Sequence, residues 1–422
     1  MSRSTPGPYG PKSGPGTGDD RDAGRATPDE TGPAVAASAP AEHATVDDAP
    51  TLGKRAAGAT DAAPAPALGK HAAADAVVPE TPPAADESAR VERAGAAAVR
   101  ERRGFLRGSS ARNLGLVIAL VVLVIAGTVT AGERFASIDN LMVVLSLASV
   151  IGVLSIGMTF VITAGGIDLS VGSVLGLASV WATTLSTQAY AEAFGWGVIV
   201  LTALLVGLGA GLLNGILIAY GRVVAFIATL AMMVAARGFA ELIAQRRTHV
   251  VDVDSFLDTF RGNLLGVPVI VWIFAAVAVG GWFLLNRTTF GRRTVAVGGN
   301  PEAARLAGIK VKRHTMYIYA LCGLTAGIGA VMMLARTTAG SSTNGMLYEL
   351  DAIAAVVVGG TLLVGGRGTI VGTVLGVLIF ATLTNVFIQN NLDSSVQAIA
   401  KGAIIIVAVL LQQRFSRKNA TS

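Results

Sequence analysis

The chain has 422 residues, of which 52% are hydrophobic and only 14% charged, with a mean hydropathy of +0.60. Soluble domains carry about a quarter charged residues, so this balance excludes an ordinary water-soluble protein and points to the bilayer. The formal net charge of +6 does not signal a nucleic-acid binder, because the basic residues flank apolar runs and form no stripe on a soluble fold.

In chain order, residues 1–110 are rich in Ala, Pro, Gly, Asp, Glu and Arg and almost free of aromatic or β-branched clusters. Such a segment buries too little apolar area to offset its ordering entropy, so a disordered tail is expected there. The first fifty residues contain no apolar run, so no cleaved signal peptide is expected. From residue 111 to 415 the chain is apolar, broken by short polar connections, and reads as an all-α polytopic membrane domain. Windows of about 17–25 apolar residues are long enough to cross a bilayer as helices. Ten are predicted: 114–132, 141–163, 169–187, 196–219, 223–244, 267–285, 315–335, 351–364, 369–388 and 396–412, with 416–422 as a short C-terminal tail. The third and eighth are polar or short enough to be broken or re-entrant. With the N-terminal tail inside, Lys and Arg in the connections number 17 on the inner side and 5 on the outer, which puts both ends in the cytoplasm.

One stretch is used twice. Gly165, Gly166, Val171, Gly172, Val174, Leu175 and Gly176 recur 200 positions later as Gly365, Gly366, Val371, Gly372, Val374, Leu375 and Gly376, with Thr373 in place of Ser173. Glycine pairs suit corners where the backbone turns sharply or another helix comes close. With ten spans both corners lie on the cytoplasmic side and the repeat is parallel; with an odd number between them it would be inverted.

Asp168 follows the first glycine pair and precedes a span. It reads either as a helix N-cap or, with Ser170, as a polar group at a broken helix facing a pathway. Arg237 and Glu241, four apart on one helix face, read as an internal ion pair, and Lys401 as a side chain snorkelling to the outer interface. Asn214, Thr229, Asn385 and Gln389 are neutral polar groups within spans, able to bond a neighbouring helix or a sugar hydroxyl. In the long inner connection, Asn300 can cap a helix, Pro301 suits its first position, Glu302 complements its positive end and Gly308 can end it. That predicts a short, well-bounded helix carrying Ala303, Ala304 and Arg305. Cys322, the single cysteine, lies in an apolar span, so neither an intrachain disulfide nor a cysteine metal cluster is possible. No P-loop, zinc-protease or nucleophile-elbow motif occurs, so no catalytic or metal-ligating residue is assigned and ATP would have to be hydrolysed elsewhere.

The run Gly165-Gly166-Ile167-Asp168-Leu169-Ser170-Val171-Gly172-Ser173 resembles the signature of the membrane permease subunits of ABC importers for ribose, xylose and related monosaccharides. The resemblance extends from about Leu114 to Gln412 and includes Tyr348 to Ala354, Gly359-Gly360-Thr361 and Gly365 to Thr369. It implies the ABC importer permease fold and identifies Asn300 to Gly308 as the helix that couples to the ATPase. It also implies a second permease copy or sister, one or more ATPase subunits holding ATP and magnesium, and an extracellular binding protein delivering a pentose or hexose. The chain itself would bind no cofactor and be a transport subunit, not an enzyme. It departs from the family pattern where Ala225 replaces Pro, Ala231 replaces Gly and Val386 replaces Gly, which weakens any expectation of a kink at the start of the fifth span. Arg246, Arg247, Arg261 and Arg336 break the positive-inside trend, and they are candidates for docking the binding protein, against local pairing with Asp252, Asp254 and Asp258. A permease for branched-chain amino acids or nucleosides is the nearest rival. A proton-coupled secondary transporter would leave the capped inner helix without a purpose, and a membrane enzyme would need paired catalytic groups that are not found.

The charge count has a direct test. A cysteine placed at residue 60, within 286–314 or after Arg414 should resist an impermeant thiol reagent in intact cells, and one within 246–262 should react; outside labelling of 286–314 would reverse the orientation.

Overall fold

The computed structural model describes residues 113–404 and 406. The expectations for the 1–110 tail, for the end of the tenth span and for 416–422 lie outside the described residues. Seven helices are long and apolar enough to cross a membrane: α1 (Asn113–Arg134), α2 (Ile138–Thr163), α5 (Gly197–Ala219), α6 (Ala225–Ala244), α8 (Val269–Arg287), α11 (Val311–Thr337) and α13 (Ile370–Gln389). The third and eighth predicted spans are short helices, α3 (Val171–Ala182) and α12 (Tyr348–Val358). The tenth is represented by helix α14, described over 394–404. Among the described residues, then, seven of the ten predicted spans are helices long enough to cross, the third and eighth are short, and the tenth runs beyond the described residues.

Short helices fill the connections. The predicted third span breaks at Thr183, and Thr184 caps α4 (Leu185–Phe194), whose Leu185, Tyr190 and Phe194 are exposed. Helix α7 (Asp254–Arg261) buries Phe256, which packs on Phe260, and Phe260 meets Trp196 edge-on at 5.2 Å. A two-residue strand, β1 (His249–Val250), pairs with β4 (Ala339–Gly340) and ties the α6–α7 connection to the one after α11. Strands β2 (Asn263–Leu264) and β3 (Val267–Pro268) form a hairpin leading into α8. At the opposite, basic end lie α9 (Thr289–Gly299) and α10 (Pro301–Leu306).

Helix α11 is the most deeply buried span, α2 and α13 come next, and α1 is the least buried. A fully buried helix must satisfy its own polar side chains. Ser149, Ser155 and Thr159 of α2 do so by donating to carbonyls one turn back, and Thr159 also meets Thr373 of α13 at 2.9 Å. The α5–α11 contact runs through glycine. Gly207, Gly211 and Gly215, spaced one turn apart, face Gly323, Gly327 and the Met316 backbone, and a Cβ at Gly215 would stand 2.7 Å from the Met316 carbonyl oxygen. Small residues at four-residue spacing let two helix backbones touch, which is the main source of helix adhesion in lipid.

The two repeated corners meet. Gly165 and Gly365 adopt φ of +84° and +85°, which glycine tolerates at little cost, and a Cβ at Gly365 would lie 2.9 Å from the Gly165 Cα. The Gly366 N–H donates to the Thr163 carbonyl at 2.9 Å. Gly298, at the end of α9, completes the contact. Both corners thus sit at the basic end of the bundle, each leading into a helix directed away from it, and the repeat is parallel. Ala225, where the family pattern has proline, is the first residue of α6. Proline is tolerated there because the N–H it lacks has no helical partner, so the position marks a helix start and its replacement removes no kink.

A methyl group at Gly298 would overlap the Thr163 carbonyl oxygen and lie 2.7 Å from the Gly366 nitrogen, all backbone that cannot swing aside. Gly298→Ala should therefore lower the melting temperature of the detergent-purified protein, at a cost of about 1–3 kcal/mol typical of overpacking. Gly280→Ala, where nothing stands within 4 Å, should leave it unchanged.

Candidate functional site

The corner between α2 and α3 holds the first group of candidate residues. Asp168 is 1% exposed, and its Oδ1 accepts from the Ser170 N–H at 2.9 Å and from the Ser170 hydroxyl at 2.6 Å. The N-cap position of α3 is Ser170 itself, so Asp168 closes a tight turn two residues ahead of the helix and does not cap it. The Asn214 amide donates to Ser170 Oγ at 2.9 Å, which ties the turn to α5. The Thr229 hydroxyl lies 3.4 Å from the Ile167 carbonyl, on the α6 side, while its stronger bond is to Ala225 of its own helix at 2.9 Å. Four of the six predicted pathway residues therefore converge on residues 167–170. The site is not fully satisfied: Asn214 Oδ1 and the Tyr319 hydroxyl, which stands over Gly166, are buried without a partner.

Asn385 and Gln389 lie elsewhere. Asn385 exchanges two hydrogen bonds with Asn140, at 2.8 and 3.0 Å, and Gln389 donates to the same Asn140 oxygen at 2.9 Å. Asn140 opens α2 and Thr163 closes it, so about 35 Å of helix separates this amide cluster from the glycine corner. The cluster joins α2 to α13 at the end remote from the corners.

Between the two groups, the half-helices start face to face. Helix α3 ends beside β4, where a Cβ at Gly340 would press on Ser179 and Thr183, and its 12 residues reach about 18 Å back into the bundle. Helix α12 ends against the first turn of α13, where Gly359 abuts Gly372. Its 11 residues reach about 16 Å from the other side. Their N-termini meet near mid-depth: a Cβ on Gly172 would overlap both the Gly345 carbonyl oxygen and Glu349 Oε2. One turn on, a Cβ at Gly176 would lie 2.8 Å from the Asn344 carbonyl oxygen and 3.0 Å from Arg237 Nη1. The repeated glycines at 172 and 176 thus make room for a descending loop and for two charged side chains.

Arg237 donates through Nη1 to the Ser342 and Asn344 carbonyls, the latter at 3.2 Å, and forms no ion pair with Glu241. The predicted pair is replaced because the loop 341–347 brings carbonyl oxygens closer than the next helical turn does. Lys401 likewise does not snorkel. It bonds both oxygens of Asp351 at 3.1–3.2 Å, with the two side chains 21% and 15% exposed, and so joins α14 to α12. Sequence reasoning missed the Glu349–Arg237 neighbourhood, since the two lie 112 positions apart and only the dip of 341–347 unites them.

At the basic end, the predicted capped helix is present. The Asn300 side chain accepts from the Ala303 N–H at 3.0 Å, Pro301 follows it, and Gly308 ends the turn at φ +83°. Glu302 and Arg305 pair at 3.0 Å on the exposed face. Ala304 is buried against the chain's own interior, whereas Ala303 is exposed and Leu306 is 81% exposed. At the α7 end, Arg246, Arg247, Arg261 and Arg336 are all exposed. Among the described residues none of the four forms an ion pair with Asp252, Asp254 or Asp258. Also among them, no group of three His, Cys, Asp or Glu side chains could hold a metal.

A polytopic bundle with paired glycine corners, two opposed half-helices and a capped helix at its basic end defines a membrane permease. The chain belongs to the family described as the permease component of the branched-chain amino acid transport system, which matches residues 140–409. It is 39% identical over 318 residues to the ribose import permease RbsC of Escherichia coli K12, an overlap of 74% of this chain and 97% of the relative. RbsC of Bacillus subtilis is 39% identical over 313 residues, covering 72% and 94%. The L-arabinose permease AraH of E. coli K12 is 35% identical over 312 residues, covering 72% and 91%. No solved structure matches the chain. It is a multi-pass membrane protein and a transport component.

The Asp168 turn separates two roles for that carboxylate. Asn retains an oxygen for the Ser170 N–H, so Asp168→Asn should keep membrane level and uptake. Asp168→Ala should lose both, at about 1.5–3 kcal/mol for each hydrogen bond to the charged acceptor. Normal membrane level with abolished uptake in the Asn variant would assign the charge to transport instead.

Proposed function

We propose that this chain is the permease subunit of an ABC importer that carries a monosaccharide, of the pentose or hexose class, into the cytoplasm. The observation that carries the proposal is the near-complete alignment with ribose permeases, 97% of the length of the E. coli protein at 39% identity. ATP, with magnesium, is hydrolysed on a separate ATPase chain seated on the basic end. The capped helix α10 supports this assignment: it is short, bounded at both ends and presents Leu306 outward, so it can stay formed while a partner moves it. Two permeases, identical or sister, would stand side by side over the ATPases. The excess of Lys and Arg at this end supports a cytoplasmic location for it and for both termini. At the other end an extracellular binding protein would deliver the sugar, and the unpaired Arg246, Arg247, Arg261 and Arg336 suit acidic patches on it, where opposite charge sets register and association rate. Asp168, Ser170, Asn214 and Thr229 would frame the pathway, and Asn385 and Gln389 would hold its far end.

A second reading, transport of a branched-chain amino acid, is favoured by the description of the family itself. One uptake experiment separates them. The chain, expressed with its ATPase and binding protein in a strain lacking its own pentose and hexose importers, should accumulate labelled ribose, arabinose or xylose and not leucine. Leucine uptake without sugar uptake would reverse the assignment. In the same strain Leu306→Asp should insert normally yet lose uptake and sugar-stimulated ATP hydrolysis at least tenfold; a normal rate would exclude α10 as the coupling element.

A further inference from the structure

The meeting point of the half-helices carries a feature that the pathway residues named above do not include. A cleft of about 410 Å³, lined by Ser173, Met233, Arg237, Glu241, Met346 and Glu349 among others, opens between α3, α6 and the start of α12. Its volume falls within the range of about 300–1,000 Å³ found for small-molecule sites. The lining is a mixture suited to a polyol: two carboxylates, one guanidinium, one hydroxyl and methionine side chains able to lie against C–H surface.

The hydrogen-bond ledger of the cleft is incomplete. Glu349 is 7% exposed, and its Oε2 is buried without any partner. A buried carboxylate oxygen left in that state is costly, and the usual remedy is a donor supplied from outside the chain. Arg237 uses Nη1 on two carbonyls, and among the described residues no bond is made by its other N–H groups. Glu241, exposed at the mouth, makes no ion pair. Glu349 lies in the first turn of α12, and a Cβ on Gly172 in the first turn of α3 would overlap its Oε2, so the carboxylate stands beside two helix N-termini, which favour negative charge. Two acids against one arginine disfavour an anionic ligand. A neutral monosaccharide supplies hydroxyl donors to Glu349 and Glu241 and hydroxyl acceptors to Arg237 and Ser173, with no net charge to bury.

We infer that this cleft is a monosaccharide subsite within the permease, in which Glu349, Glu241 and Arg237 receive the sugar hydroxyls midway across the bundle. The inference rests on the transport reading above and names residues for it. Gly172 and Gly176 belong to the same device, since any side chain at either would displace Glu349 or the loop held by Arg237.

The test uses the complete transporter, with its ATPase and binding protein, in proteoliposomes supplied with labelled D-ribose, L-arabinose, D-xylose and D-glucose, and with leucine as a separate arm. Glu349→Gln and Glu241→Gln keep shape and remove charge, and Glu241 is exposed, so the second variant should fold even if the first does not. Uptake of the transported sugars should fall at least tenfold in each, with Ser173→Ala changing the rank order among sugars. ATP hydrolysis stimulated by sugar-loaded binding protein should stay within twofold of native, because docking and coupling lie at the two ends. Arg237→Lys should retain part of the uptake and Arg237→Ala none. Sugar uptake with unchanged rates and rank order in both glutamine variants would overturn the subsite while leaving the transport reading intact. Parallel loss of uptake and stimulated ATP hydrolysis would place these residues in coupling and also overturn it. If the native complex moves leucine and none of the sugars, the transport reading fails, and the assignment of the cleft to sugars fails with it.

Discussion

Glycine-mediated contact between backbones is the constraint on which this structure rests. Lipid tails are as apolar as leucine, so burying leucine between helices gains little, and adhesion must come from close packing and interhelical hydrogen bonds. The α5–α11 seam through Gly207, Gly211, Gly323 and Gly327 provides close backbone packing between these two helices. The knot of Gly165, Gly298 and Gly365 does the same at the basic end, and it joins three segments remote in sequence. One of them is the end of α9, immediately before the capped helix α10. Asn300 alone separates α10 from the end of α9.

From those corners the chain rises differently in the two halves. After Gly165 it climbs as an irregular segment and becomes helical only at Val171. In the second half the irregular segment, 341–347, descends from the other end, and α12 completes the crossing. Non-helical backbone at membrane depth is tolerable where protein buries it or where it lines a cavity, and both conditions hold here. The same geometry gathers carbonyls, helix N-termini and charged side chains into one region. Arg237 is held there by loop carbonyls, and Glu349 lies at the start of α12 beside the first turn of α3.

Much of this was legible in the residues. Asn300, Pro301 and Gly308 bounded a helix because capping is local, and the structure has that helix between Pro301 and Leu306. The repeated Gly-Gly corners were visible as a pattern, but their contact was not, because nothing local reports which segments meet. The polarity and shortness that marked the third and eighth spans as broken or re-entrant are local features, and Val171–Ala182 indeed ends where Thr183 and Thr184 bond back to Val180 and Trp181. Arg237 and Lys401 were assigned to the nearest acid and to the interface. Their true partners lie in loop 341–347 and on α12, and only the tertiary fold chooses between such alternatives. Ala304 was included in the helix that couples to the ATPase, and its burial follows from which side of a six-residue helix turns inward.

The Lys401–Asp351 pair bears on how the protein is made. A lysine within a spanning helix resists transfer into hydrocarbon by about 2.5–3.5 kcal/mol near the helix centre. Asp351 precedes it by 50 residues and is already translated when the last helix reaches the insertion machinery. The acid on the half-helix then offers the incoming cation a partner 3.1 Å away, in a place where α14 alone would have only lipid. The order of synthesis thus matches the order of charge neutralisation.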